Sequence, residues 1–386
     1  MTIPRTRLFL LALSLLFPLM VSCGSSGGGG GGEEPPPPSG FEPLAEIAPD
    51  GTQVAARFGH SVAVDAGLAV VGAPLEDDGG IADRGAAYIF RLTAEQTWEL
   101  EARLLAPDGA VDDRFGSAVA ISGDDVLVGA PFRDDAGIAD QGAAYLFRRT
   151  DPAIGAWEAI TILTAADGAV GDQFGSAVAI SGDDALVGAP FRDDSGIADL
   201  GAAYLFRRTA PATDAWAAIT TLTAGDGTAG DRFGSAVALA DDDALVGAPF
   251  RDDAGIADRG AAYLFRRTDP AADTWEATAI LTIAGGAEND RFGSSVAISG
   301  DDALVGAPFR DGPGIADQGA AYLFGRTDRA ADTWEAAMTL TAADGTAFDH
   351  FGSAVAIDGD DALVGAPFAD TLGFADSGAA YPFLRP

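Results

Sequence analysis

From Phe58 onward, short apolar runs alternate with polar breaks, and the same alternation returns at a fixed period. The dipeptide Phe-Gly marks it, at Phe58, Phe115, Phe174, Phe233, Phe292 and Phe351, spaced 57 residues once and 59 four times. Within one period, Gly, Pro and Asp divide the chain into four apolar stretches, which predict four strands. In the second unit these are A (Phe115 to Ile121), B (Val126 to Ala130), C (Ala143 to Phe147) and D (Trp157 to Thr164). Strands A to C are apolar on both faces, as expected of strands sandwiched between neighbouring sheets, whereas D admits Glu158 and Thr161 and belongs on the outside. Four-stranded units repeated in series predict the blades of a β-propeller.

Side-chain size fits that arrangement. Gly116, Ser117, Ala118, Gly129 and Ala130 let sheets approach closely near the axis. Phe115, Tyr145, Phe147 and Trp157 recur in register and supply inter-blade core. Glu42 to Gly51 matches a D strand and its exit turn, as in Glu101 to Gly109, while the last repeat stops after its C strand at Tyr381 to Phe383. Residues 42–386 therefore predict an all-β, six-bladed β-propeller, closed by the N-terminal strand completing the last blade and removing an exposed edge. A seven-bladed ring is the alternative.

The Phe-Gly opening and the Gly-Ala-Pro that ends strand B, at Gly129-Ala130-Pro131 and its copies, resemble FG-GAP repeats, and the resemblance covers essentially all of residues 42–386. Similar repeats build the propeller headpiece of integrin α-subunits, which implies extracellular adhesion or ligand binding. Two departures stand out. Integrin propellers have seven blades. Many of their repeats carry an Asp-rich calcium loop between strands A and B, where this chain has only Ser122-Gly123-Asp124-Asp125, a tight hairpin.

Strand alternation puts the B-to-C and D-to-A connections on one face of the disc and the A-to-B and C-to-D connections on the other. The first face collects aspartates, including Asp167 and Asp172 of the D-to-A loops, and its B-to-C loops are the candidate metal site, with calcium as the possible cofactor. The candidate ligands are Asp77, Asp78 and Asp83; Asp134, Asp135 and Asp140; Asp193, Asp194 and Asp199; Asp252, Asp253 and Asp258; Asp311 and Asp317; and Asp370 and Asp376. Carboxylates around a flexible glycine suit a hard cation that needs six to eight oxygens. The same aspartates could instead cap turns, pair with Arg133 and Arg114, or stay solvated. The second face, with Asp124 and Asp125 opposite Arg148 and Arg149, is closer to neutral. Symmetry breaks in the fifth and sixth units, at Gly285 to Asp290, Asp311 to Gly314 and Ala369 to Asp376, and functional sites on repeat rings often arise where repeats differ.

Catalytic parts are scarce: His60 and His350 are the only imidazoles, and Lys is absent. Near-identical loops suit repeated binding better than the single asymmetric constellation an enzyme needs, so no enzyme is expected. A propeller hydrolase acting on carbohydrate or phosphoester substrates is the alternative, and an envelope scaffold without a discrete ligand the third reading.

The N-terminus addresses the domain. Arg5 and Arg7 precede the apolar run Leu8 to Val21, too short for a comfortable membrane span, and residues 1–22 read as a signal peptide. Met20-Val21-Ser22-Cys23 resembles a bacterial lipobox, which implies lipidation of Cys23, the chain's one cysteine. Residues 23–41, with six consecutive glycines and four prolines, read as a disordered tether. The net charge of −35, with all 23 basic residues Arg, argues against nucleic acid or anionic lipid as partner. The expectation is a monomeric outer-membrane lipoprotein, periplasmic or surface-exposed, meeting the membrane through its lipid anchor only and binding protein or glycan at its acidic face.

Overall fold

The computed structural model describes residue 47 and residues 56–210, 214–370 and 376–385. All their regular elements are strands, in six antiparallel sheets. Blade one holds β1 (Ser61–Asp65), β2 (Leu68–Ala73), β3 (Ala86–Leu92) and β4 (Trp98–Leu104), and blade two β5 (Ala118–Ser122), β6 (Asp125–Ala130), β7 (Ala143–Asp151) and β8 (Ala156–Leu163). Blade three holds β9 (Ala177–Ser181), β10 (Asp184–Ala189), β11 (Ala202–Ala210) and β12 (Ala215–Leu222), and blade four β13 (Ala236–Ala240), β14 (Asp243–Ala248), β15 (Ala261–Asp269) and β16 (Thr274–Leu281). Blade five holds β17 (Ser295–Ser299), β18 (Asp302–Ala307), β19 (Ala320–Asp328) and β20 (Thr333–Leu340), and blade six β21 (Ala354–Asp358), β22 (Asp361–Ala366) and β23 (Ala379–Leu384).

The fold is a six-bladed β-propeller. First strands of successive blades pack against one another from β1 and β5 through β17 and β21, and their ends at Asp65, Ser181, Ala240, Ser299 and Asp358 border one opening. Every residue of β2, β6, β10 and β14 is buried, whereas the fourth strands bury little but their last residue, Leu163 in β8, which places them outermost as their polar content predicts.

Two strand boundaries differ from the sequence expectation. The first strand of blade two begins at Ala118, because Phe115 to Ser117 form a turn in which Ser117 N–H donates to Arg114 O (3.2 Å) and Gly116 takes φ +92°. The third strand runs on to Asp151, so Arg148 and Arg149 are paired strand residues opposite Glu158 and Trp157.

The core lies between blades. Phe115 is fully buried, meets the rings of Tyr145 and Phe147 edge-on at 5.4 and 5.9 Å, and packs with Ile89, Leu104 and Ala106 of blade one. The arrangement repeats at Phe174, Phe233, Phe292 and Phe351. Among the described residues no equivalent cluster joins blade six to blade one: that side of blade one packs its own residues with Ile47, and Leu384 of β23 is 63% exposed. The N-terminal strand expected to complete blade six lies outside the described residues apart from Ile47.

Candidate functional site

Each B-to-C loop folds around its first aspartate. Asp134 Oδ1 accepts the N–H of Asp140 at 3.0 Å, and Asp77, Asp193, Asp252, Asp311 and Asp370 accept in the same way from Asp83, Asp199, Asp258, Asp317 and Asp376. Those last six residues all sit at φ between +48° and +51°, which Asp tolerates better than most residues. The middle aspartates turn to arginine: Asp135 lies 3.1 Å from Arg133, Asp253 2.6 Å from Arg259, Asp194 3.6 Å from Arg192, and Asp78 2.7 and 2.8 Å from Arg84 and Arg103. The candidate carboxylates thus cap turns and form ion pairs. Among the described residues no three His, Asp or Glu side chains gather as a metal site would require.

The D-to-A loops carry a second carboxylate set, to which Asp167 and Asp172 of the acidic face belong. Asp108 accepts from the Tyr145 hydroxyl (2.7 Å) and from Arg133 (2.8 Å); Asp167 takes Tyr204 and Arg192, and Asp226 takes Tyr263 and Arg251, in the same geometry. Each clamp ties a D-to-A loop to the third strand and B-to-C loop of the following blade. Burial opposes the charge on Asp108, but the Tyr145 and Arg133 hydrogen bonds outweigh it and hold the carboxyl below its ordinary value. Blade five has Gly285 at the clamp position, so Arg310 turns instead to Tyr322 (2.8 Å) and Asp290 (3.1 Å). The useful signal in the sequence is this loss of Asp from one loop.

Five residues beyond each clamp lies a buried aspartate. Asp172 accepts the N–H of Ala169 at 2.8 Å and, among the described residues, has no arginine within ion-pair distance, so burial pushes its carboxyl up, as it does at Asp113 and Asp231. At neutral pH the folded chain therefore carries the penalty of ionised Asp172, and that penalty is relieved as pH falls through the raised pKa. Asp108 has the opposite sign: its contribution is present above the ordinary carboxylate pKa and is lost as pH falls through the depressed one. Thermal melts from pH 7 to pH 3 should show Asp172→Asn more stable than the parent at neutral pH and Asp108→Asn less stable, with both differences closing towards acid.

Nearer the axis, in blades two, four and five, the arginine before Phe-Gly stacks on the phenylalanine that follows strand B. Arg114 lies 4.4 Å from the centre of the Phe132 ring, Arg232 spans Phe191 and Phe250 (4.7 and 4.4 Å), and Arg291 spans Phe250 and Phe309 (4.7 and 4.4 Å). In blade six His350 takes that place, with ring centres 4.6 Å from Phe309 and 4.9 Å from Phe368. Burial lowers its pKa below the usual histidine value, as it does for His60. No hydrogen bond or ring contact joins His60 to His350 among the described residues.

The opposite face is an arginine–aspartate lattice. Asp125 accepts from Arg148 of its own blade (2.8 and 2.9 Å) and from Arg208 of the next. Asp184 repeats this with Arg207 and Arg267, and Asp243 with Arg266 and Arg326. These pairs border a recess of about 1060 Å³ across blades three to five. Blade one has Leu68 where later blades have Asp, and Arg149 pairs instead with Glu101 (2.5 Å), whose other oxygen accepts Trp157 Nε1–H (2.9 Å).

The family described as FG-GAP repeat matches residues 43–90, 98–147, 157–206, 216–265, 275–324 and 334–383. The chain belongs to the FG-GAP repeat family. No curated protein matches it. From the second match onward, the FG-GAP unit starts with the fourth strand of one blade and ends with the third strand of the next, so each unit spans an inter-blade interface. The two parts of the FG-GAP motif meet across that interface: a Cβ added to Gly129, in Gly-Ala-Pro, would lie 3.0 Å from the carbonyl carbon of Gly175, in the next Phe-Gly, and closer still to its oxygen. The signature residues of this FG-GAP propeller therefore serve blade packing. The signal peptide, Cys23 and the tether lie outside the described residues.

Proposed function

We propose that this FG-GAP propeller is an extracytoplasmic binding module, carried on a lipid anchor at Cys23, that engages a protein partner through its acidic B-to-C and D-to-A face. The supporting observation is the repetition of one exposed aspartate-rich loop around a face whose geometry is fixed by the Asp108, Asp167 and Asp226 clamps. A preorganised array of like charges raises the encounter rate and specificity for a cationic partner. Exposed apolar side chains on the same D-to-A loops, Val111 and Val170, add contact area that charge alone does not provide.

The described carboxylates do not fit a calcium cage: one oxygen of each leading aspartate is committed to a backbone N–H, and the middle ones to arginine. Calorimetric titration and thermal unfolding of the chelated protein with calcium test this directly. The expected result is no saturable binding of several ions and no rise in melting temperature. Several bound ions with a raised melting temperature would make the loops metal sites and the module cation-dependent. The binding reading itself is tested with cationic and anionic peptides against the immobilised protein: salt-sensitive retention of the cationic set alone is expected, and equal retention of both sets would refute it.

A further inference from the structure

Phe348 breaks the repeat in a way its fold does not require. It occupies the D-to-A loop position held by Asp112, Gly171, Gly230 and Asn289 in the preceding loops, and all five take left-handed backbone angles, φ +65°, +81°, +87° and +65° against +69° for Phe348. Glycine, asparagine and aspartate tolerate that conformation; a bulky aromatic does not, and its presence there costs stability. The ring is 58% exposed, so burial does not repay the strain. The loop is nevertheless held firmly. Phe348 N–H donates to Ala316 O (3.0 Å), His350 N–H to Asp317 O (3.3 Å), and Asp349 accepts from both the N–H and the hydroxyl of Thr346 (2.7 Å each). Its neighbour is the fifth B-to-C loop, where Gly312-Pro313 stands in place of the usual Asp-Ala and Pro313 is exposed. Two departures from symmetry thus meet at one place.

We propose that Phe348 is the apolar anchor of a docking site for a polypeptide segment that carries an aromatic or large apolar side chain flanked by arginine or lysine. Charge complementarity selects this occupant. Residues 311–317, 344–350, 369–370 and 376 hold Asp311, Asp317, Asp344, Asp349, Asp370 and Asp376 and no arginine. Beneath them His350, its pKa lowered by burial, replaces the arginine that sits over this ring layer in blades two, four and five. A cationic segment therefore meets less positive charge here than at those blades, and an anionic one would be repelled. An exposed aromatic within an acidic rim is the pattern of an interface hot spot. The inference rests on the binding reading above and names the partner's chemistry.

The probes are three synthetic peptides: one tryptophan between two pairs of arginines, a copy with alanine for tryptophan, and a copy with glutamates for the arginines. Fluorescence anisotropy with the full chain should show the first bound about tenfold or more tighter than either copy, a difference that one buried aromatic supplies. Phe348→Asn, which installs the residue blade five uses, should abolish that preference and raise the melting temperature, because a strained residue is replaced by a tolerant one. Tight binding that Phe348→Asn leaves unchanged would overturn this inference and leave the acidic-face reading standing. Loss of binding with a lower melting temperature would also overturn it, since Phe348 would then be structural. No binding of either arginine peptide to the parent protein would overturn both.

Discussion

Gly188→Ala is expected to cost about 4 kcal/mol or more and to loosen blade three from blade four, because the clash it creates is between backbones. Gly188 lies in β10, in the Gly-Ala-Pro of its repeat. A Cβ there would lie 3.0 Å from the carbonyl carbon of Gly234 and closer still to its oxygen. Gly234 cannot yield: at φ +92° it is the glycine of the next Phe-Gly, its N–H donates to Gly247 O (3.0 Å), and it follows Phe233, which is fully buried. A flexible side chain could rotate away from a new methyl group; two strands of adjoining blades must instead move apart. Thermal and denaturant unfolding of Gly188→Ala beside Gly225→Ala checks this, since a Cβ on Gly225 meets nothing within 4 Å and should change stability by less than about 0.5 kcal/mol. Equal effects at the two positions would show that the glycine of the motif is not an inter-blade contact.

The contrast explains what could be read in the chain before its structure. Strand number, strand order and the inward position of Phe115 and Tyr145 follow from apolar periodicity, because every blade solves the same burial problem with the same residues. Boundaries followed less well. Phe115 is as apolar as a strand residue, yet Gly116 at φ +92° ends any strand there, so the aromatic is delivered by a turn. Arg148 and Arg149 look like the start of a loop, but their guanidinium groups have carboxylates to meet across the sheet and between blades, and the strand continues through them. The acidic loops were legible as a face and illegible as a site. Which aspartate caps a turn, and which lies under arginine or tyrosine, depends on partners one blade away. Asp108, Arg133 and Tyr145 come from three segments, and no local pattern joins them.

Asp184→Ala is expected to cost about 2–3 kcal/mol, because it takes from two partly buried guanidinium groups the carboxylate they share. Asp184 receives Arg207 from its own blade at 2.7 and 3.0 Å and Arg267 from the next, and all three side chains are largely buried. Arg207 keeps Asp273, and Arg267 keeps Asp242, 3.1 Å away on an exposed side chain, so each guanidinium retains one more exposed partner that compensates in part. The chain itself shows how the loss can be repaired. Blade one has Leu68 at this position, and there Glu101, at the bulge of β4, takes both the next blade's Arg149 and its Trp157 Nε1–H. In blade three the matching bulge position is Ile219, which with Trp275 borders the same core cluster, and Trp275 Nε1 is buried without a partner among the described residues. The double variant Asp184→Leu with Ile219→Glu transplants the blade-one arrangement and supplies an acceptor to that indole. It should recover most of the stability that Asp184→Leu alone loses, with the coupling measured by a double-mutant cycle in urea. A double variant no more stable than the sum of its parts would mean that Leu68 and Glu101 are unrelated substitutions and that the lattice does not hold adjacent blades together.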